Sequence, residues 1–147
     1  MSVVVAENAG FCFGVSRAVQ MVEKAATEGR QVVTVGPIIH NRHVVEKFEN
    51  MGVRVIEDPE DAQPGMTVII RSHGVTRAVM ETLKNRGVDI VDATCPFVKR
   101  IHGIVEKAEE EGRIPVIIGT RSHPEVEGIA GWCRECQVFE TPEELEK

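Results

Sequence analysis

The chain has 147 residues, of which 42% are hydrophobic and 27% charged, as is usual for a soluble globular protein with a buried core. Its formal net charge is −6, and acidic and basic residues are interspersed, which argues against a general nucleic-acid or anionic-membrane surface. The sequence has no apolar run of membrane-spanning length, and its first residues lack the basic segment and apolar core of a secretory signal. We therefore expect a cytoplasmic protein with reduced cysteines.

Short apolar runs alternate with amphipathic stretches along the chain. The apolar runs predict strands at residues 3–6, 32–35, 53–56, 67–70, 88–91 and 116–118. Apolar residues at helical spacing predict helices over residues 13–28, 41–50, 75–85 and 97–111, and a further helix beginning at Pro124. Strands that alternate with helices indicate an α/β fold with short, mainly parallel sheets flanked by helices.

The sequence also contains an internal repeat. A shift of 83 residues aligns Cys12 with Cys95 and His40 with His123, and 17 of the 53 ungapped positions from Cys12 to Pro64 are identical. Similarity that keeps one register over this length indicates duplication. We predict two tandem pseudo-symmetric lobes, residues 1–94 and 95–147, that superpose with the paired cysteines and the paired histidines in equivalent places.

The second copy of the repeat is predicted to be incomplete. The strand at 67–70, His73 and the helix beginning near Val75 would recur at positions 146–166, whereas the sequence ends at Lys147. The surface that would receive these elements is therefore expected to be unusually apolar and to favour self-association.

Cysteines and histidines lie where predicted strands give way to helices. Cys12 and Cys95 each precede a helix, and His40, His73 and His123 each follow an apolar strand by a few residues. Ligands in parallel α/β folds collect at the carboxyl ends of the strands, so we expect these side chains to meet on one side of the molecule. Helix N-termini favour thiolates, which ligate metals, and their free N–H groups suit anions such as phosphate.

The cysteines have structural alternatives. A cysteine between two phenylalanines, as Cys12 is, is commonly a core residue, but its repetition at Cys95 favours a ligand. Cys133 and Cys136 have the spacing of zinc and redox sites. A single pair without a second half is weak evidence, and we interpret this pair as peripheral.

The histidines and Glu125 have alternatives as well. His43 and His102 lie in helices without a repeat partner, so we expect them to be structural or solvated. Glu125 occupies the second position of a predicted helix, where a carboxylate is equally consistent with a simple complement to the helix dipole.

Five segments carry Cys12, Cys95, the three histidines that follow strands and Glu125, at positions 9–19, 36–41, 70–75, 92–98 and 123–128. In sequence, order and spacing they resemble segments of the LytB-type 4-hydroxy-3-methylbut-2-enyl diphosphate reductases, and the resemblance runs along the whole chain. These enzymes catalyse the last step of the non-mevalonate isoprenoid pathway. The reaction removes an allylic hydroxyl group reductively with two electrons and gives isopentenyl and dimethylallyl diphosphates.

The resemblance implies three α/β lobes around a central 4Fe-4S cluster, with one cysteine ligand from each lobe and one iron open to substrate. It also implies an electron donor such as a ferredoxin or a flavodoxin. The implied roles are cluster ligation for Cys12 and Cys95, diphosphate contact for His40, His73 and His123, and proton delivery for Glu125.

The sequence departs from the family in one large respect, because the third lobe and its cysteine ligand are not in this chain. Cys133 and Cys136 do not occupy that position. We therefore expect the chain alone to be inactive and to hold no intact cluster. The competing hypothesis is a non-catalytic module, derived from the reductase, that binds metal, phosphate or a partner protein. A zinc-binding protein that uses Cys133 and Cys136 is a weaker third interpretation.

Overall fold

Helices and parallel strands alternate along the chain in the computed structural model, which describes residues 2–7 and 9–145. The α/β class predicted from the sequence is confirmed. The elements are α1 (Phe13–Thr27), β1 (Val32–Val35), α2 (Arg42–Asn50), β2 (Arg54–Ile56), a 3-10 turn (Pro59–Asp61), β3 (Thr67–Ile70), α3 (Arg77–Asn85), β4 (Asp89–Asp92), α4 (Pro96–Glu110), β5 (Val116–Ile118), α5 (Pro124–Ala130), β6 (Gln137–Phe139) and α6 (Pro142–Leu145).

The strands form two parallel sheets. The larger sheet has four strands in the order β2-β1-β3-β4, and the smaller one pairs β5 with β6. The central strands β1 and β3 are buried along their whole length because helices cover both faces. On one face Ile69 packs in a cluster with Val22 and Phe48, and on the other Ile70 packs with Leu83.

Side-chain caps set where two helices begin. The helix predicted from residue 75 begins at Arg77, because the Thr76 hydroxyl accepts a hydrogen bond from the Val79 N–H at 3.3 Å. Asn41 caps α2 in the same way, so that helix begins one residue later than predicted. Among the described helices, none combines the length and the apolar character that crossing a bilayer requires.

The strand predicted at residues 3–6 is wrong. No strand is formed there in the described part of the chain, and Val3, Val4 and Val5 are 82%, 90% and 76% exposed. A run of β-branched residues favours a strand only where a neighbouring strand satisfies its N–H and C=O groups, and no described strand pairs with this run.

The elements of the second copy follow the repeat closely. α4 lies 83 residues after α1 at both ends, and β6 lies 83 residues after β2. β1 has β2 on one side and β3 on the other, whereas β5 pairs with β6 alone among the described strands. Beside its open edge, Val116, Ile118 and Ile104 are 54%, 72% and 58% exposed. Apolar side chains are thus exposed around β5, and the incomplete second copy stays a prediction.

Candidate functional site

Three loops bring His40, His73 and His123 together. His40 follows β1, His73 follows β3, and His123 is the N-cap residue of α5. The ring centroids of His40 and His73 are 5.2 Å apart, and those of His73 and His123 are 6.0 Å apart. Side chains that are distant in the sequence thus form one cluster, which we call the histidine cluster. Its position follows from parallel pairing, which places the carboxyl ends of β1 and β3 at the same edge of the sheet.

His73 lies at the centre of the histidine cluster. Burial is the largest of the causes that lower its pKa to about 4, and electrostatic repulsion from His40, Arg71 and His123 is included in that value. Its Nδ1 atom is buried and has no hydrogen-bond partner in the described part of the chain. The ring is therefore neutral at pH 7 and is surrounded by groups that favour a bound negative charge.

The tautomer of His123 is set by its own helix. Its Nδ1 atom accepts a hydrogen bond from the Glu125 N–H at 3.2 Å. A neutral ring that accepts at Nδ1 carries its proton on Nε2, so His123 presents a donor at its outer edge. The N-terminus of α5 lies beside the same ring and adds partial positive charge.

Cys12 and Cys95 are both N-cap residues, of α1 and α4, and neither side chain makes a capping hydrogen bond. A Cβ atom built on Gly14 would lie only 2.6 Å from the Cys95 Sγ atom. The Cys95 thiol therefore lies directly against the first turn of α1. It packs next to Gly14, which follows Cys12 by two residues in the sequence. Both cysteines are free thiols, Cys12 exposed and Cys95 half-buried.

A backbone hydrogen bond connects Cys95 to the histidine cluster. The Cys95 N–H donates to the carbonyl oxygen of Ser72 at 2.9 Å, and Ser72 immediately precedes His73. A ligand held by the histidines would therefore lie next to the segment that carries Cys95.

Glu125 is half-buried at the second position of α5, as predicted. It lies two residues from His123 and lines a cavity of about 530 Å³ with Ile101 and Ile104 of α4. Glu125 thus adjoins a member of the histidine cluster in the sequence and lines an apolar cavity. The same position also complements the dipole of α5, so its geometry alone does not assign it a role.

The remaining cysteines and histidines are not members of the histidine cluster. Cys133 follows α5, and burial together with the neighbouring Cys136 raises the pKa of its thiol to about 11, which keeps it protonated. His43 is exposed on α2. His102 is 5% exposed, stacks on Trp132 at 5.1 Å between ring centroids, and is structural as expected.

The donor set suits part of an iron–sulfur site. Cysteine thiolates are the usual cluster ligands. The thiols of Cys12 and Cys95 make no capping hydrogen bond, so both are free to ligate. Within residues 2–7 and 9–145, no group of three or more His, Cys, Asp or Glu is arranged to hold a metal ion. These residues therefore fit two ligand positions of a cluster and leave its other ligands to be supplied from elsewhere.

Two arginines next to this site were not predicted from the sequence. The Arg71 guanidinium lies close to Gly36 and donates to the carbonyl oxygen of Gly74 at 3.3 Å. Arg17 reaches from α1 to the segment that precedes Cys95. A signal for Arg17 was present, because the repeat aligns it with Arg100, another arginine.

A family model and curated relatives match this chain, and both point to one protein family. A family model described as LytB protein matches residues 3–147. The 4-hydroxy-3-methylbut-2-enyl diphosphate reductase of Caldanaerobacter subterraneus subsp. tengcongensis is 43% identical over 151 residues, which cover 99% of this chain and 52% of that protein.

Solved structures agree with the sequence matches. The structure described as that of (E)-4-hydroxy-3-methyl-but-2-enyl diphosphate reductase, the terminal enzyme of the non-mevalonate pathway, matches with a TM-score of 0.83 and 42% identity. The match covers 97% of this chain and 52% of that one. The E-1-hydroxy-2-methyl-but-2-enyl-4-diphosphate reductase from Plasmodium falciparum matches with a TM-score of 0.91 and 31% identity, over 96% of this chain and 45% of its own. The chain spans about half the length of the curated relatives it matches.

Proposed function

The chain belongs to the LytB protein family, and on that premise we propose that it forms part of a 4-hydroxy-3-methylbut-2-enyl diphosphate reductase. The reaction proposed is the reductive removal of the allylic hydroxyl, which gives isopentenyl and dimethylallyl diphosphates. One observation carries the proposal: the histidine cluster lies beside the segment of Cys95. In this proposal residues 1–94 and 95–147 form two lobes, each of which supplies one cysteine.

The histidine cluster is proposed to bind the substrate diphosphate. His123 offers an N–H donor at Nε2, and the ring stands at the N-terminus of α5, where an anion is favoured. His73 has an orphaned nitrogen and a depressed pKa, so an anion that approaches it would stabilise its protonated form. The Arg71 guanidinium adds a permanent positive charge next to His73.

Cys12 and Cys95 are proposed to hold two irons of an iron–sulfur cluster. When bound, such a cluster supplies electrons, received from a donor such as a ferredoxin or a flavodoxin, and an electrophilic metal for the substrate hydroxyl. The residues of this chain orient the substrate: the histidines fix the diphosphate, and the hydrogen bond from the Cys95 N–H to the Ser72 carbonyl holds Cys95 next to the loop of His73.

Glu125 is proposed to supply protons. A hydroxyl group leaves readily only when it is protonated, and a positioned carboxylic acid is a common source of that proton. The position of Glu125, two residues from His123 and beside an apolar cavity, supports this role because the group is near the proposed diphosphate and partly shielded from water.

The second candidate is a non-catalytic module that binds phosphate or metal. The histidine cluster supports its phosphate-binding form, because His73 and the Nε2 donor of His123 favour an anion without any bound metal. The two candidates share the anion site and differ in the cluster, so binding of the diphosphate group can be tested without deciding between them.

The chain is expected to bind inorganic pyrophosphate, with an affinity that increases as the pH falls from 7 towards 5. A bound anion raises the pKa of His73 from about 4, so binding takes up a proton in the window between the free and bound pKa values. His73→Gln should weaken binding by about tenfold or more, as expected for the loss of a charge-assisted hydrogen bond. Calorimetry and the NMR titration of the His73 ring protons measure both effects.

His43→Gln is the matched control, because His43 is exposed on α2 and lies outside the cluster. Its pyrophosphate affinity should equal that of the unmodified chain. Pyrophosphate binding that leaves the His73 titration unchanged, or that weakens equally in both variants, would refute the proposed diphosphate site.

A further inference from the structure

Arg17 makes a two-pronged contact across the molecule. Its Nη1 atom donates to the carbonyl oxygen of Thr94 at 3.1 Å, and its Nη2 atom donates to that of Asp92 at 3.3 Å. These carbonyls belong to the short segment between the end of β4 and Cys95. The planar guanidinium suits this task because its donors lie in a fixed fork, which a lysine ammonium cannot reproduce.

The segment depends on this contact. Thr94 is 5% exposed, and the Arg17 guanidinium is the side-chain donor that reaches its carbonyl in the described part of the chain. A buried carbonyl that loses its donor is costly, so the segment would rearrange towards water if Arg17 were shortened. Further contacts fix the ends of the segment: the Thr94 N–H donates to Asp92 Oδ1 at 3.0 Å, and the Cys95 N–H donates to the Ser72 carbonyl.

Gly14 lies on the same face of α1, one turn before Arg17. The Cys95 Sγ atom occupies the space that a Cβ atom on Gly14 would need. α1 therefore presents to the segment a cation that holds its backbone and a gap that receives its thiol. Because Cys12 is the N-cap of the same helix, this one face determines where Cys95 lies relative to Cys12.

The equivalent position of the second copy does not make this contact. Arg17 and Arg100 occupy equivalent positions, five residues after Cys12 and Cys95. Arg100 is exposed on α4 and makes no hydrogen bond or ion pair within the described residues. The contact with the Thr94 segment is therefore specific to the arginine of the first copy.

We infer that Arg17 and Gly14 are positioning residues that hold the Cys95 thiol beside Cys12. The inference rests on the proposed function, in which Cys12 and Cys95 are cluster ligands. It explains how the two thiolates are kept at a fixed separation. It can nevertheless be tested in the chain without cluster or substrate.

The test is the rate at which a bifunctional thiol reagent bridges Cys12 and Cys95. Dibromobimane, which becomes fluorescent when it bridges two thiols, is applied to the full chain carrying Cys133→Ser and Cys136→Ser. Arg17→Gln should slow bridging by about tenfold, since small displacements of paired reacting groups have large effects on rate. Arg17→Lys should give an intermediate rate, because an ammonium cannot hold both carbonyls with the geometry of a fork.

Arg30→Gln is the matched control. Arg30 contacts Asp89 at 2.7 Å, near the other end of β4 from Cys95, and this variant should bridge at the unmodified rate. Gly14→Ala and its control Gly103→Ala, at an open position of α4, provide a second test that raises helix propensity and so preserves folding. Gly14→Ala should slow bridging and Gly103→Ala should not.

The outcomes separate this inference from the proposed function. Unaltered bridging in Arg17→Gln and Gly14→Ala, equal slowing in the controls, or no bridging in the unmodified chain would overturn the inference. A failure of the proposed function would appear elsewhere, as loss of pyrophosphate binding or of cluster assembly, while the bridging rates kept the expected order.

Discussion

Glu125→Gln is expected to lower turnover by about 10²–10⁴-fold, the range typical for loss of a general acid. The measurement requires a chimeric reductase, in which this chain replaces the matching half of the Caldanaerobacter relative. Glutamine keeps the size and the hydrogen-bonding shape of the side chain but cannot release a proton. Cluster content and substrate affinity should therefore change little while kcat falls.

Glu127→Gln provides the control for Glu125. It changes another carboxylate of α5, two residues further along and exposed, and so removes the same charge from the helix. Its kcat should stay near the unmodified value. A Glu125→Gln enzyme with near-normal turnover, or an equal loss in both variants, would return Glu125 to the role of a helix-end carboxylate.

Gly74→Ala is expected to destabilise the chain and to weaken pyrophosphate binding together. Gly74 follows His73 and has a φ of +76°, where an alanine is strained. The added Cβ would also lie 2.6 Å from the His102 Cε1 atom. Because the imidazole is buried against Trp132 and cannot withdraw, the loop must shift and carry His73 with it.

Gly87→Ala separates strain from crowding. Gly87 has a similar φ of +67°, but a Cβ there meets nothing within 4 Å. Its cost should be about 1–2 kcal/mol from the backbone alone. Gly74→Ala should cost about 1–3 kcal/mol more, as overpacking does, when urea unfolding is followed by Trp132 fluorescence. Equal costs for the two variants, with unchanged pyrophosphate affinity for both, would contradict this account of the loop.

The elements that the sequence predicted well are those whose burial is encoded locally. The strands β1 and β3 have the predicted bounds because continuous β-branched runs fit the interior of parallel sheets. The meeting of His40 with His73 also follows from local reasoning, since both end neighbouring parallel strands. The superposition of the two lobes stays a prediction, although the helix and strand bounds of the second copy follow the 83-residue shift.

What could not be predicted depends on contacts between distant parts of the chain. The valines of residues 3–5 have strand propensity, but a strand also requires a neighbour, which local pattern does not reveal. The Arg17 guanidinium donates to the Thr94 carbonyl oxygen, 77 residues away in the sequence. An arginine on an amphipathic helix is ordinarily expected to be a solvated charge. The close approach of Gly14 and Cys95 depends on how two helices cross, which the periodicity of either helix does not contain.

The central claim is that Cys12 and Cys95, and not Cys133 and Cys136, ligate the cluster. The most direct measurement is made on the chimeric reductase after anaerobic reconstitution. It determines the iron content, the acid-labile sulfide content and the visible absorption. Cys12→Ser and Cys95→Ser should each remove most of the cluster, because each removes one thiolate ligand. The Cys133→Ser, Cys136→Ser double variant should keep full content. A stable cluster in the Cys12→Ser, Cys95→Ser double variant, or its loss from the Cys133→Ser, Cys136→Ser protein, would contradict the account.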